Sequence, residues 1–367
     1  MAKEKRKYSL VCKYDKEYRF RSIFDMRSGF YLRSGILDGD GNDTGVDPFM
    51  ASFPELLDIG IMQTCVCANQ CKVGCYQKAA GRTGPNMSLE KYEKIMRQCE
   101  KKTLQIALGG AGDPDTHEDF EEIMRMTRAY GMVPNFTTSG IAFTEEKARI
   151  CREYAGAVAV SEHFADYTDK AVRMLLDVGV VTNIHYVLGK HTIDRAIQIL
   201  KSGNYRPGIN AIVFLLYKPV GLGLRKNVLD VSDPKVQEFF SVIDNGKFPF
   251  HIGFDSCSCA GIVNFTENIN LNTLDFCEGG RFSAYIDAEM HMMPCSFANQ
   301  EPKWFVDLNR NTIEEAWNGR VFDLFRSSLE NSCVTCPNRI HCQGGCPLQN
   351  SITLCNRTER NHVPPCI

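Results

Sequence analysis

Two groups of cysteines are the residues of this sequence best suited to chemistry. An upstream group of four lies about 200 residues before a C-terminal group of seven, and the inner four of the seven follow the spacing C-x2-C-x5-C-x3-C. Thiolates at such short spacings hold zinc or iron–sulfur clusters. Two separate groups in one chain predict a redox enzyme with several clusters. Their members are Cys65, Cys67, Cys71, Cys75, Cys277, Cys295, Cys333, Cys336, Cys342, Cys346 and Cys355.

Seventeen cysteines in 367 residues would also allow a disulfide framework. Such frameworks are typical of short secreted chains that lack a sizeable core. This chain has 44% hydrophobic residues, and its basic start at residues 3–7 is not followed by the apolar segment of a secretory signal. Metal ligation is therefore favoured over disulfides.

The overall charge excludes two classes of partner. A net charge of −2 creates no global field that favours nucleic acid or an anionic membrane. The chain also has no run of about 18 apolar residues, which a spanning helix requires. We therefore expect a cytoplasmic protein with neither nucleic acid nor membrane as a partner, and the oligomeric state stays open.

From about residue 57 onward, apolar runs alternate with amphipathic segments. This alternation predicts an α/β fold with parallel strands joined by helices. Six or seven such units with right-handed crossovers form an open or closed barrel, whose chemistry lies at the C-terminal ends of the strands. The upstream cysteines directly follow the first strand. The expected strands are 57–62, 104–108, 133–137, 157–160, 181–187, 211–216 and 248–254.

The same patterns divide the chain into three regions. Residues 1–56 contain two strand-like runs, 18–23 and 29–36, and predict a short β-rich extension with a hairpin. Residues 57–255 form the barrel. Residues 256–367 consist of cysteine-rich loops around one helix at 312–329, with too little regular apolar pattern to fold without metal.

Capping residues predict where helices of the barrel begin and end. Thr116 and Thr168 are candidate N-caps, because their hydroxyls can accept from free backbone N–H groups. Gly131 and Gly179 stand where a left-handed residue ends a helix.

Three thiolates of the upstream group, Cys67, Cys71 and Cys75, are each separated by three residues and precede Tyr76. Three thiolates can bind three irons of a cubane cluster and leave the fourth iron open for a substrate or cofactor. A zinc knuckle with Cys65 as the fourth ligand is the alternative. Whether Cys65 or Cys67 is a ligand stays open on spacing alone.

A cysteine triad after the first barrel strand, ending in Cys-aromatic, resembles the radical S-adenosylmethionine (SAM) enzymes. Their pattern is C-x3-C-x2-C, and this chain has one extra residue in the second gap. Gly109-Gly110-Ala111-Gly112-Asp113-Pro114 is similar to the family's Gly-Gly-Glu-Pro stretch, which contacts the methionine amino group. Thr137-Thr138-Ser139-Gly140 resembles its Thr-Asn-Gly turn near the ribose.

The resemblance implies a partial (β/α)6 TIM-type barrel that binds SAM and a [4Fe–4S] cluster on Cys67, Cys71 and Cys75. Because the family's glutamate is absent, backbone carbonyls and Asp113 take its role. His185 considered alone is more often a core histidine. The implied cofactor-binding residues are Tyr76, Gly109, Gly110, Ala111, Asp113, Thr138, Ser139, Ser161, Asn183 and His185.

The C-terminal cysteines alone fit a zinc ribbon as well as an iron–sulfur site. Together with Cys342-Gln-Gly-Gly-Cys346-Pro347, they resemble the SPASM extension of radical SAM enzymes. The extension has a glycine where this chain has Met290. Cys259 is an alternative to Cys257, and Cys366 to Cys355. The resemblance implies two auxiliary [4Fe–4S] clusters, one held by Cys257, Cys277, Cys295 and Cys346 and one held by Cys333, Cys336, Cys342 and Cys355.

The implied activity is that of an oxidoreductase that cleaves SAM reductively to a 5′-deoxyadenosyl radical and abstracts hydrogen from a peptide or protein substrate. A flavodoxin- or ferredoxin-like protein would donate the low-potential electron. Asp255 is a candidate proton acceptor, and the hairpin at 18–36 could receive a peptide by edge pairing. The alternatives are a radical SAM enzyme for a small metabolite and a non-catalytic metal-stapled or electron-transfer protein.

Overall fold

The structure is a computed structural model that describes residues 9–68, 74–78, 82–330 and 333–356. The strands are β1 (Leu10–Asp15), β2 (Phe20–Asp25), β3 (Tyr31–Arg33), β4 (Leu56–Met62), β5 (Gln105–Gly110), β6 (Val133–Thr138), β7 (Ala157–Ser161), β8 (Val181–Leu188), β9 (Ala211–Leu216), β10 (His251–Phe254), β11 (Ser283–Ile286), β12 (His291–Met293) and β13 (Val306–Asp307). The helices are α1 (Leu89–Cys99), α2 (Phe120–Ala129), α3 (Glu145–Tyr154), α4 (Asp166–Asp177), α5 (Ile193–Ser202), α6 (Pro234–Asn245), α7 (Cys259–Phe265), α8 (Ile313–Trp317), α9 (Arg320–Glu330) and α10 (Arg339–Cys342).

Strands β4 to β10 form the parallel sheet that the sequence predicts. Each of these strands pairs with the next one along the chain, and a helix lies in every connection between them. Among the described strands, β10 and β4 do not pair, so the sheet is a partial barrel and not a closed one. We call the C-terminal ends of these seven strands, with the loops that follow them, the barrel mouth.

Alternation along each strand separates the helix-facing side from the barrel interior. In β4, Leu57, Ile59 and Ile61 are fully buried and belong to the same core as the α1 side chains, whereas Asp58 and Gly60 face the opposite side. Successive side chains of a strand point to opposite faces, so every second residue of β4 to β10 lines the interior. This rule decides which polar residues can meet a bound ligand.

The cysteine-rich region extends the barrel sheet. Strand β11 pairs with β4 in parallel, and β12 and β13 follow as antiparallel strands. Trp317 of α8 is buried, and its indole N–H donates to the Ala51 carbonyl oxygen over 2.9 Å. The region therefore has regular structure besides its loops, and the domain limits at 56/57 and 255/256 stay a prediction.

The N-terminal residues form a small antiparallel sheet in the order β1-β2-β3. The predicted hairpin corresponds to β2 and β3, and β1 is an additional strand that the sequence analysis missed. Glu55 accepts hydrogen bonds from Ser22 and Tyr31 of this sheet. Arg33 forms ion pairs with Asp275 over 2.7 Å and Glu278 over 2.7 Å. The small sheet thus contacts the barrel and the cysteine-rich region.

Several predicted helix limits differ from the structure. Helix α2 begins after Asp119, and Thr168 lies inside the first turn of α4, so neither Thr116 nor Thr168 is an N-cap. Residues 114–116 instead form a short 3-10 turn that starts at a proline. Gly131 and Gly179 adopt φ of 84° and 76° behind their helices, as predicted.

The single predicted helix at 312–329 is two helices, α8 and α9, that are interrupted at Asn318 and Gly319. Gly319 lies tight against the last turn of α8, since a Cβ there would lie 3.0 Å from the Glu315 carbonyl oxygen. Among the residues that the structure describes, no helix has both the length and the apolar character needed to cross a bilayer.

Candidate active site

The loop after β4 carries the upstream cysteines at the barrel mouth. Cys67 is buried, whereas Cys65 and Cys75 are partly exposed, and Cys71 lies outside the described residues. Burial, with nearby Asp113 and Cys65, raises the pKa of the Cys67 thiol to about 11. A metal that binds this thiol must displace its proton, so metal binding and deprotonation are coupled here.

The loop after β9 supports the end of this cysteine loop. The Leu222 N–H donates to the Cys75 carbonyl oxygen over 2.9 Å. Gly221 has φ 66°, and a Cβ there would overlap the Tyr76 carbonyl oxygen. The Tyr76 ring packs on the Phe297 ring with 4.6 Å between centroids. Burial raises the pKa of Tyr76, so its phenol is neutral.

The glycine-rich end of β5 needs glycine for close packing. Gly110 has φ 119°, and a Cβ there would lie 2.5 Å from the Met62 carbonyl oxygen. A Cβ on Gly112 would overlap the Thr64 carbonyl oxygen. The Ala111 N–H donates to the Met62 carbonyl oxygen over 2.8 Å. The glycines therefore let the chain after β5 lie directly against the start of the cysteine loop.

Asp113 joins the loops after β5 and β6. Its carboxylate accepts from the Ser139 N–H over 2.9 Å and from the Ser139 hydroxyl. Burial and neighbouring Asp115 raise the pKa of Asp113 to about 6. Thr138 differs from Ser139, because it is fully buried and its hydroxyl accepts from the Gly140 N–H over 3.0 Å.

Two further residues that were predicted to bind the cofactor lie at the same height in the barrel interior. Ser161 and His185 are register partners on β7 and β8, and His185 Nδ1 lies 3.1 Å from the Thr137 hydroxyl. Burial lowers the pKa of His185 to about 4, so its imidazole is neutral at neutral pH. Asn183 lies one interior position deeper, where its side-chain oxygen accepts from Asn210 over 2.8 Å.

Asp58 is an interior residue that the sequence analysis missed. It lies on β4, and a Cβ on Gly109 of the neighbouring strand would lie 3.5 Å from its Oδ1. Within the described part of the chain, no hydrogen-bond donor reaches its carboxylate. Burial raises the pKa of Asp58 to about 7, and the Tyr76 and Tyr285 phenols lie near it. The available signal was a carboxylate at the second position of the predicted apolar strand 57–62.

Four cysteines from distant segments converge beside the barrel mouth, and we call them the first auxiliary set. Cys257 follows β10, and its thiol lies near the Cys346 thiol. The Cys277 thiol lies near the thiols of Cys257 and Cys295. Burial raises the pKa of Cys295 to about 12. The first auxiliary set is Cys257, Cys277, Cys295 and Cys346.

Cys259 lies at the start of α7 and makes a different contact from Cys257. Its Sγ donates to the Asp275 carbonyl oxygen over 3.1 Å. The Cys259 thiol is thus engaged by the backbone, and the thiols of Cys257 and Cys342 lie near it. This geometry favours Cys257 over Cys259 as a ligand.

A second set of thiols surrounds Cys342, and we call it the second auxiliary set. The thiols that act on Cys342 are those of the three other predicted ligands. Gln343, Gly344 and Gly345 all have positive φ, and this turn sends Cys342 and Cys346 to different sets. Cys366 lies outside the described residues. The second auxiliary set is Cys333, Cys336, Cys342 and Cys355.

The backbone conformation of Met290 explains why the SPASM pattern has a glycine at this position. Its φ is 72°, a left-handed conformation that glycine adopts without strain. Met290 is fully buried in the core, so side-chain burial accompanies this backbone conformation. The departure from the family pattern therefore changes the residue while the turn remains.

The donor chemistry fits iron–sulfur clusters. Each auxiliary set consists of four thiols from cysteines that are buried or half-buried. Thiolates are the ligands of cubane clusters, and the structure describes neither histidine nor carboxylate as a member of these two sets.

Comparisons with known proteins agree with this arrangement. The model of the radical SAM superfamily matches residues 61–202, and the model of the SPASM iron–sulfur cluster-binding domain matches residues 277–338. A search of curated protein sequences gives no match.

Solved structures show the same fold. Streptococcus suis SuiB matches with a TM-score of 0.67 at 14% identity, over 93% of this chain and 95% of that chain. SuiB bound to precursor peptide SuiA matches with a TM-score of 0.61 at 17% identity, over 85% and 77%. Native anSMEcpe with bound AdoMet and Kp18Cys peptide matches with a TM-score of 0.58 at 15% identity, over 84% and 92%.

The family models cover the barrel from the end of β4 to α5, including the cysteine loop, and much of the cysteine-rich region. The chain therefore belongs to the radical SAM superfamily and is an enzyme with a C-terminal SPASM domain.

Proposed function

We propose that this enzyme modifies a peptide or protein by radical chemistry at the barrel mouth. The observation that carries the proposal is the apolar rim of that mouth. Of the eleven large exposed hydrophobic side chains among the described residues, four lie on the loops after β4, β7 and β9. Single exposed apolar residues are ordinary, but several around one opening mark a surface for a partner. They are Val66, Phe164, Leu222 and Leu224.

A polar cleft beside the rim supports the same substrate class. It lies between β4 and β11, where Gln63, Gln77 and Tyr285 line it. Its lining also includes Asp287 and Glu289. An apolar rim next to a polar cleft suits a chain with varied side chains better than one small metabolite. In the comparisons, SuiB is bound to precursor peptide SuiA and anSMEcpe to Kp18Cys peptide.

Superfamily membership implies SAM, a radical SAM [4Fe–4S] cluster and auxiliary clusters. When bound, these groups supply a 5′-deoxyadenosyl radical and a site that accepts an electron or binds substrate. We assign Cys67, Cys71 and Cys75 to the first cluster, and the two auxiliary sets to the others. A flavodoxin- or ferredoxin-like donor of low potential is part of this proposal.

The chain itself would bind and orient SAM. We assign the backbone carbonyl groups of Gly109, Gly110 and Ala111 at the end of β5 to the methionine amino group of SAM. Asp113 and Ser139 are already joined, so their loops form one preorganised wall. Neutral His185 offers a hydrogen-bonding nitrogen without a charge. Tyr76, Ser161, Thr138 and Asn183 complete the proposed set, and Thr138 and Asn183 are bonded within the protein.

Asp255 remains our candidate proton acceptor for the substrate. It follows β10 at the barrel mouth and stands two residues before Cys257. Its carboxylate accepts from Lys218 over 2.6 Å and from the Ser258 hydroxyl over 2.8 Å. These contacts hold the carboxylate between the interior and the first auxiliary set.

The test is anaerobic reconstitution with iron and sulfide, followed by dithionite, SAM and substrate. Random peptides form one arm, and a metabolite fraction freed of peptides forms the other. We expect 5′-deoxyadenosine together with a SAM-dependent mass change in a peptide. The triple variant Cys67→Ala, Cys71→Ala, Cys75→Ala is the control and forms neither. Stimulation by the metabolite fraction alone would refute the peptide substrate.

A further inference from the structure

Lys218 is a buried cation between the barrel mouth and the first auxiliary set. It follows β9 and is only 7% exposed. Its Nζ lies 2.6 Å from Asp255 Oδ2 and donates to the Leu216 carbonyl oxygen over 3.0 Å. It also lies 4.4 Å from the centroid of the Phe297 ring. A lysine this buried needs such partners, because an isolated ammonium is strongly destabilising away from water.

The partners of Lys218 lead directly to the cysteines. Asp255 stands two residues before Cys257, and Phe297 stands two residues after Cys295. The ammonium also acts electrostatically on the thiols of Cys257 and Cys346. Lys218 is therefore the cation on the barrel side of the first auxiliary set.

A second buried cation lies against Cys277. Arg281 is 2% exposed, and its Nη1 donates to the Cys277 carbonyl oxygen over 3.1 Å. The first auxiliary set thus has cations at Cys257 and at Cys277. Around Cys342, the three other thiols of the second auxiliary set act on the thiol, and burial raises its pKa.

We propose that Lys218 raises the reduction potential of the first auxiliary cluster, which favours this cluster as the acceptor of the electron left on the substrate-derived radical. One-electron reduction adds one negative charge to a site that already holds four thiolates. A neighbouring ammonium stabilises that added charge, and the low dielectric of a buried site strengthens the effect. Lys218 is a positioning residue and touches no reacting atom. The inference deepens the proposed function and needs only the cluster assignment from it.

Two substitutions shift the potential in opposite directions. Lys218→Met removes the cation while it retains most of the side-chain volume, so the midpoint potential falls. Asp255→Asn leaves the ammonium without its counter-charge, so the midpoint potential rises. A general loosening of the site would not give shifts of the midpoint potential that are opposite in sign in the two variants. The Lys218→Arg variant keeps the charge and should keep the midpoint.

The experiment is a redox titration followed by EPR at one fixed pH, on full-length protein with all cysteines of the auxiliary sets. Substitution of Cys67, Cys71 and Cys75 by alanine in every sample removes the signal of the third cluster. We expect Lys218→Met to change the reduction equilibrium of one cluster about tenfold, which is 59 mV for one electron. Lys201→Met, at an exposed lysine paired with Glu238, is the matched control and shifts nothing.

Unchanged midpoints in both Lys218→Met and Asp255→Asn, or shifts of the same sign, would overturn the inference. An equal shift of both auxiliary clusters would also overturn it. If Lys218→Met loses iron, the sign of the midpoint shift in Asp255→Asn decides whether the inference holds. A rise supports it and a fall overturns it. The titration needs no substrate, so a failure of peptide modification leaves its result unaffected.

Discussion

The barrel and the cysteine-rich region hold their functional residues by different means. In the barrel, strands of up to eight residues pair in continuous register around buried aliphatic side chains. In the cysteine-rich region, β11, β12 and β13 have four, three and two residues. The auxiliary sets lie mostly on loops and short turns, although neighbouring side chains such as Trp317 and Phe322 belong to the main core. Packing therefore positions the SAM side of the site, and metal ligation should add to packing on the auxiliary side.

Removal of iron should show the difference between the barrel and the cysteine-rich region most clearly. We expect chelation to release the amides around the auxiliary sets to rapid hydrogen exchange, because metal binding there contributes to folding. Amides of β8 in the same sample should stay protected. Hydrogen exchange with mass spectrometry measures both in one experiment. Equal loss of protection in β8 would show that the barrel also depends on metal.

A single ligand substitution sharpens the comparison. Cys257→Ser should remove about four irons, the content of one cubane cluster. Cys259→Ser is the matched control two residues away and should retain all iron, since its Sγ bonds to the Asp275 carbonyl oxygen. Iron analysis of the purified, reconstituted variants is the measurement. The reverse result would exchange the roles of the two cysteines.

Within the barrel, packing should govern the effect of adding one methyl group. A Cβ on Gly110 would lie 2.5 Å from the Met62 carbonyl oxygen at φ 119°, so Gly110→Ala should destabilise the protein by about 2–4 kcal/mol. Gly109→Ala meets only Asp58 Oδ1 at 3.5 Å and should change stability by less than about 1 kcal/mol. Thermal unfolding of both variants under anaerobic conditions compares them directly.

Substitution of Asp58 should give the smallest effect of these changes. It is an effect on stability, and it depends on pH. The folded pKa of Asp58, about 7, lies above the ordinary value of 3.8, so wild type loses stability as pH rises from about 4 to about 7. Asp58→Asn lacks this loss. The variant's advantage should grow by on the order of 2 kcal/mol between pH 5.5 and pH 8, at about 1.4 kcal/mol per pKa unit. Denaturant unfolding at both values checks this, and a constant difference would contradict it.

Much of the barrel was predictable because its signals are local. The seven predicted strands match β4 to β10, and Ala211–Leu216 agrees at both ends. Strand β1 was missed because it begins with three apolar residues in a row, Leu10, Val11 and Cys12, although its burial in the structure alternates. The N-caps failed because Pro114 starts a separate turn before α2, and because α4 already begins at Asp166.

The sequence by itself determined the chemistry, because cysteine spacing is a local property that needs no tertiary contact. Together with the resemblance to the radical SAM and SPASM patterns, this spacing predicted the superfamily and the clusters. Only the tertiary structure decided which distant residues meet. The pairing of β11 with β4 brings Tyr285 to Asp58, and the approach of the loop after β9 to β10 brings Lys218 to Asp255. Such neighbours depend on sheet pairing between remote segments, and the spacing of residues along the chain does not reveal that pairing.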